Sequence, residues 1–146
     1  MEELLERYGQ ESMRSGVPEE LGADYVFLGQ PGRICVQRKT VSDFISSADD
    51  GRLQWETSLL RNQAAAAVMV EGSFSSAQIA MEHGDWDKGA IRNLMRSVWY
   101  EEGIAVERTA GLSDTAEALT ELVKRFSKPA HLTLITRPRM PRTART

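Results

Sequence analysis

The stretch VQRKTVSDF, Val36 to Phe44, changes its period halfway. Up to Lys39 it continues the alternation of RICVQRK (33–39), with Ile34 and Val36 on one face and Cys35 and Gln37 on the other. That period of two is the pattern of a strand. From Thr40 the pattern becomes helical: Thr40 or Ser42 can cap a helix whose apolar side is Phe44, Ile45 and Ala48. A strand therefore delivers Gln-Arg-Lys to the start of a helix, and Asp43 follows Lys39 by four residues.

Upstream, ADYVFLG (23–29) is rich in β-branched and aromatic residues and ends at GQPG (29–32), a strong turn signal. The two runs read as a β-hairpin. Residues 1–21 are polar and acidic with a Gly-Val-Pro break at 16–18. They predict a short helix, then a second over Pro18–Leu21 with Pro18 in its first turn.

Downstream, ADDG closes the helix after Lys39, and GRLQWETSLLRNQ (51–63) predicts another with Leu53, Leu59 and Leu60 inward. AAAAVMVEG (64–72) is a continuous apolar run, and Val68-Met69-Val70 followed by Glu-Gly favours a fully buried strand over the helix that alanines suggest. SSAQIAMEHGDW (75–86) is ambiguous. DKGAIRNLMRSVWYEEG (87–103) predicts a helix with Ile91, Leu94, Met95, Val98 and Trp99 on its face and Gly103 as its stop. IAVERT (104–109) reads as a short strand. SDTAEALTELVKRF (113–126) reads as a helix capped by Ser113 or Asp114, with Ala116, Leu119, Leu122, Val123 and Phe126 inward. After Pro129, HLTLIT can add a short strand. A hairpin, then helices, then strand–helix–strand–helix is an α/β pattern with a central mixed β-sheet flanked by helices.

With 146 residues, 41% hydrophobic and 27% charged, the chain fits one soluble domain with one core. No apolar run approaches the ~20 residues of a membrane span. The start, MEELLERYGQE, is acidic and unlike a signal peptide. The lone Cys35, flanked by Ile34 and Val36, reads as a buried structural thiol. It suits a reducing compartment, cytoplasmic or nucleoid-associated. The net charge of −3 hides an asymmetry: from Lys124 onward there are seven Lys/Arg and no acids. An acidic body with a basic end suggests a polyanionic partner, against the plainer reading of a solvated, disordered terminus.

The chemistry centres on the hairpin. The turn folds the strands back so that Asp24 stands beside the Gln37–Lys39 end. Acidic oxygens there would hold Mg²⁺, a hard cation that keeps several waters, and a lysine could neutralise a phosphate or orient a nucleophile. The spacing D…xxK alone has little specificity. Other site types are poorly supported. His83 and His131 lie far apart with only Cys35 to join them, so no zinc spacing exists. No Gly-rich phosphate loop or serine-nucleophile motif is present. Trp55, Trp86 and Trp99 read as core or interface residues, not base-stacking platforms.

Taken together and in order, ADYVF, VQRKTVSDFISSADDGRLQWE, VMVEG and GIAVERTAGLSDTAEALTELV resemble the XPF-type structure-selective endonuclease family, over roughly Pro18 to Val123. The resemblance implies a restriction-endonuclease-like PD-(D/E)XK core that hydrolyses DNA phosphodiesters with Mg²⁺ or Mn²⁺. The family motif is Gly-Asp, a spacer, then Glu-Arg-Lys-x-x-x-Asp, followed by a helix beginning Asp-Gly-Arg. Carried over, Asp24 is the first metal ligand, Lys39 the catalytic lysine and Asp43 the acid at the helix start. Arg38 helps to place metal or phosphate, and Arg52 contacts phosphate or pairs with an acid. For Asp43 the plainer reading is a helix N-terminal charge; for Arg52 it is a surface ion pair.

Three departures matter. Gly-Asp appears as Ala23-Asp24. The first 20 residues contain no strand with the family's Val-Asp-x-Arg-Glu, which would remove an edge strand. The motif's glutamate is Gln37, whose amide oxygen can still ligate a cation but brings no charge. Glu56, one helical turn after Arg52, stands where members more often carry glutamine. An exchange of amide for acid between positions 37 and 56 follows as a hypothesis, against a solvent-facing Glu56.

The resemblance implies helix-hairpin-helix repeats after the nuclease domain, and residues 124–146 carry no such pattern. The Arg-rich end, with Arg137, Arg139, Arg142 and Arg145, is the expected substitute for phosphate contacts. The expected organisation is a helical lead-in (1–17), a nuclease-like domain (18–128) and a basic, disordered tail (129–146). The expected function is an endonuclease acting on branched, flap or fork DNA in repair or recombination, working as a homodimer or heterodimer. The rival is a non-catalytic DNA-binding or dimer-partner module with a degenerate site.

Overall fold

The computed structural model describes residues 13–14, 22–78, 84 and 86–128. The expected lead-in helices, the HLTLIT strand and the tail arginines lie outside the described residues. The hairpin forms as the turn signal requires: β2 (Tyr25–Gly29) and β3 (Gly32–Thr40) pair antiparallel, with Gly29 opposite Gly32 across Gln30-Pro31. A two-residue strand, β1 (Met13–Arg14), pairs antiparallel with β2. The missing edge strand expected from the sequence is thus corrected: a short edge strand is present without the Val-Asp-x-Arg-Glu sequence.

Beyond β3 the sheet becomes parallel. β4 (Ala65–Glu71) pairs with β3 on one side and β5 (Ala105–Thr109) on the other, in the order β1-β2-β3-β4-β5. The run Ala67–Glu71 is buried throughout, as a strand flanked on both sides and covered on both faces must be. Parallel neighbours need crossovers. Two helices supply the first: α1 (Val41–Asp49) and α2 (Arg52–Leu60). Thr40 caps α1 by accepting a hydrogen bond at Oγ1 from the Asp43 amide, 3.1 Å. Between them Gly51 takes φ +83°, a conformation that favours glycine. Asp50 accepts the Arg52 amide and so starts α2.

The second crossover is α3 (Lys88–Arg96), capped by Asp87 and continued by a π-helical turn over Ser97–Glu101. A short 3₁₀ turn, Phe74–Ala77, begins the segment that the sequence left ambiguous. Trp99 is 56% exposed and stacks on exposed Tyr100, so it does not join the helix's inward face. The π-turn widens the helix there and turns the indole away from Met95 and Val98, which stay buried. Trp55 is likewise exposed, while Trp86 is half-buried and donates its indole hydrogen to Asp49.

The last helix, α4 (Leu112–Phe126), begins one residue earlier than its expected caps, with Gly111 as N-cap. Asp114 instead reaches back to accept the Ala110 amide at 2.7 Å. The carboxylate thus pins the strand-to-helix turn from inside the first helical turn.

Two cores result. Cys35, Val68 and Val70 meet Val41, Phe44, Leu53, Leu60 and Ile91 on one face of the sheet. Phe27, Ile34, Val36, Ala67 and Met69 meet Leu119 and the flank of α4 on the other. Burying each large side chain contributes about 2 kcal/mol. The alternation of β3 therefore decides the placement of its polar end. Gln37 and Lys39 share Cys35's face, toward α1 and α2, while Arg38 shares Val36's face, toward α4.

Candidate active site

Lys39 and Gln37 sit at the C-terminal end of β3 and are nearly as buried as the core, 6% and 4% exposed. A buried ammonium requires a counter-charge. Glu56, from the middle of α2, supplies it: its Oε1 lies 3.1 Å from Lys39 Nζ. That oxygen makes no well-directed hydrogen bond, so the contact is ionic. Its Oε2 accepts a hydrogen bond from Gln37 Nε2. A carboxylate only accepts, so Gln37 must turn its NH₂ toward Glu56. The amide oxygen, Oε1, is left buried without a hydrogen-bond partner. The structure therefore brings Gln37, Lys39 and Glu56 together.

Gly22 explains how α2 meets the start of β2. It adopts φ +73°, and a Cβ there would fall 2.6 Å from the Glu56 carbonyl oxygen. Only glycine allows this approach, which brings the β2 lead-in against the helix at Glu56 itself. Two residues later Asp24 is exposed; its Oδ2 accepts the Arg38 amide at 2.9 Å, and its own amide bonds the Val36 carbonyl. Asp24 thus stands at the Gln37–Lys39 end of the hairpin, as the fold-back implies.

Asp43 is exposed in the first turn of α1, where its amide bonds Thr40 and its negative charge meets the positive end of the helix dipole. Arg52 is exposed at the start of α2 and paired with Asp50, Nε to Oδ2 2.7 Å. The Arg52 amide and guanidinium hold the Asp50 carboxyl below its ordinary range, and Asp50 raises Arg52 in return. The charges of Glu56 and Asp43 also help to raise Arg52.

Arg38 has a different environment. Its guanidinium forms a fork with Glu71, Nε to Oε1 3.0 Å and Nη2 to Oε2 2.6 Å, on the α4 face. Glu71 also accepts from Thr115 Oγ1 at 2.6 Å, and Thr115 in turn meets Thr109. These bonds, Arg38's first, depress the Glu71 carboxyl below its ordinary value. The network ties β3, β4, β5 and α4 together just behind Lys39. In sequence, VMVEG shows Glu71 only as an acid that ends an otherwise apolar strand, and that break in the pattern is the signal of its role.

A divalent cation can be tested against these groups. Hard cations take oxygen, and the site offers the Asp24 and Glu56 carboxylates and the unpartnered Gln37 amide oxygen. Among the described residues no group of three His, Cys, Asp or Glu is arranged to hold a metal. The donor set thus fits only with the amide as a member.

The family model for the ERCC4 domain matches residues 6–122. Among solved structures, the chain is similar to XPF from Aeropyrum pernix, with 25% identity and a TM-score of 0.61 over 84% of this chain and 58% of that one. It is also similar to XPF from Aeropyrum pernix in complex with DNA, with 26% identity and a TM-score of 0.57 over 78% of this chain and 53% of that one. The chain thus spans little more than half the length of either structure. No curated protein matches it. The mixed sheet flanked by helices is the restriction-endonuclease-like fold of these neighbours. No described helix is long and apolar enough to cross a membrane.

Proposed function

We propose, from the premise that this chain belongs to the ERCC4-domain, XPF-type family of structure-specific DNA nucleases, that it is itself a divalent-metal-dependent endonuclease acting on branched, flap or fork DNA in repair or recombination. The observation that carries the reading is the contact of Glu56 with both Gln37 and Lys39. Asp24, Gln37 and Glu56 would hold Mg²⁺ or Mn²⁺. The cation, when bound, lowers the pKa of water and offsets charge on the scissile phosphate.

The chain's own groups do the remainder. Lys39, held beside the site by Glu56, offers a positive charge to the phosphate as its charge grows. The attacking water gives a proton to solvent as its oxygen bonds to phosphorus, and the P–O bond to the leaving sugar breaks, its oxygen taking a proton from solvent. Asp43, exposed in the first turn of α1, would orient water or substrate. Arg52 and Arg38 are proposed phosphate contacts, with Arg38 also fixing β3 through Glu71. Arg137, Arg139, Arg142 and Arg145, in the proposed tail 129–146 after a nuclease domain over 18–128, would add contacts that carry no sequence information. A homodimer or heterodimer is proposed, and the exposed Trp99–Tyr100 stack supports it.

The neutral Gln37 favours one alternative, a DNA-binding or dimer-partner module that no longer cuts. Cleavage of labelled flap, fork and linear duplex DNA with Mg²⁺ or Mn²⁺, wild type beside Lys39→Ala, separates the two. The wild type is expected to cut branched DNA, and the variant to lose about a hundredfold or more. DNA binding without cleavage by either protein selects the non-catalytic module.

A further inference from the structure

The outer surface of α2 carries an indole that the core does not use. Leu53, Thr57 and Leu60 fill the inward face, and Trp55 is 59% exposed. A tryptophan left in water forgoes the burial of its large apolar area, so core packing does not account for it. At about 100° per residue, Leu60, Glu56, Arg52 and Trp55 follow one another around one side of the helix, from core to solvent. Glu56 is the carboxylate between Gln37 and Lys39. Arg52, held by Asp50, forms the rim. Trp55 stands beyond it on the same side, at the three-residue spacing where helical side chains are neighbours.

We propose that Trp55 stacks on an unpaired nucleobase next to the phosphodiester to be cut. The proposal rests on the nuclease reading and adds to it a residue that distinguishes branched from continuous DNA. A base inside a duplex has both faces covered by its neighbours. A base at a flap or fork junction has a free π-face that an exposed indole can cover. Such stacking tolerates any base, so Trp55 selects structure rather than sequence. Arg52 beside it, exposed and paired with the exposed Asp50, is a cation that a phosphate can take over, and a purely apolar protein contact would not need one.

The test measures binding by the full chain without divalent metal, so that nothing is cut. The probes are a labelled flap, the matching continuous duplex, and the same flap with abasic residues in its unpaired arm. Trp55→Ala is expected to lose about tenfold in flap affinity and little for the duplex. Abasic residues should bring the wild type down to the Trp55→Ala level, and Trp55→Tyr should retain most of the affinity. An unchanged flap-to-duplex ratio in Trp55→Ala overturns the stacking role. A change in self-association instead overturns it too, and assigns the indole to a protein contact. A wild type that binds neither DNA overturns the nuclease reading and the stacking role together.

Discussion

Gln37 donates its amide hydrogen to the carboxylate of Glu56, across nineteen positions of sequence and between a strand and a helix. The same carboxylate lies 3.1 Å from the Lys39 ammonium. The structure thus sets the amide at position 37 and the ammonium at position 39 against one acid at position 56.

Glu56→Gln removes the charge that both neighbours face. Cleavage is expected to fall at least about a hundredfold. Stability should fall by about 3 kcal/mol, because Lys39 stays buried without its counter-charge. Cleavage assays and urea denaturation read the two effects separately. Normal cleavage would remove Glu56 from the site.

Gln37→Glu restores the motif's letter but places two carboxylates against one lysine. Without divalent metal the variant should melt below the wild type, since like charges at contact distance oppose ionisation. Mg²⁺ should raise its Tm more than that of the wild type. An equal response in both proteins would place no cation at position 37.

Gly22→Ala tests the approach of β2's lead-in to α2. Its Cβ would lie 2.6 Å from the Glu56 carbonyl oxygen, and the backbone holds φ +73°. A loss of about 1–3 kcal/mol is expected, with reduced cleavage because Asp24 and Glu56 move apart. Unchanged denaturation would show that the approach is not needed.

Two carboxyls give opposite pH signatures. Arg38 first, then Thr115, depress Glu71 below the ordinary 4.5. Its stabilising contribution is present above that value and is lost as pH falls through the lower folded pKa. Glu107 is raised by burial, then by Glu121, with Arg125 opposing. Its contribution is present below 4.5 and lost as pH rises through the higher folded pKa. At neutral pH Glu71→Gln should therefore destabilise and Glu107→Gln stabilise. Both differences should shrink toward pH 3. Thermal melts across pH 3–8 check the signs.

Deletion after Lys128 removes four arginines. The slope of log K against log salt for duplex DNA should flatten by up to about 3–4, if each arginine meets a phosphate. An unchanged slope would leave the tail without a role in binding.

The elements themselves were legible because local chemistry sets them. The GQPG turn closes a hairpin, a threonine caps α1, and a continuous apolar run becomes the buried strand β4. Errors arose where a residue's position depended on its surroundings. Trp99 fits a helical face by spacing, but a π-turn carries it into solvent. β1 shows no strand pattern in its two residues, and among the described residues it is held by pairing with β2. Asp114 looks like a cap, yet it bonds backward from within the helix.

For the site, sequence alone determined the family motif, the placement of Asp24 beside Lys39, and the suspicion that positions 37 and 56 had exchanged roles. The placement follows from strand alternation and hairpin return, both short-range, whereas the motif and the suspected exchange rest on the resemblance to the XPF-type family. Only the tertiary structure decided that Glu56 reaches Gln37 and Lys39, that Arg38 turns to Glu71 on the other face, and that Trp55 stands in solvent. Each depends on how α2 and α4 pack on opposite sides of one sheet, which is set by burial between distant segments.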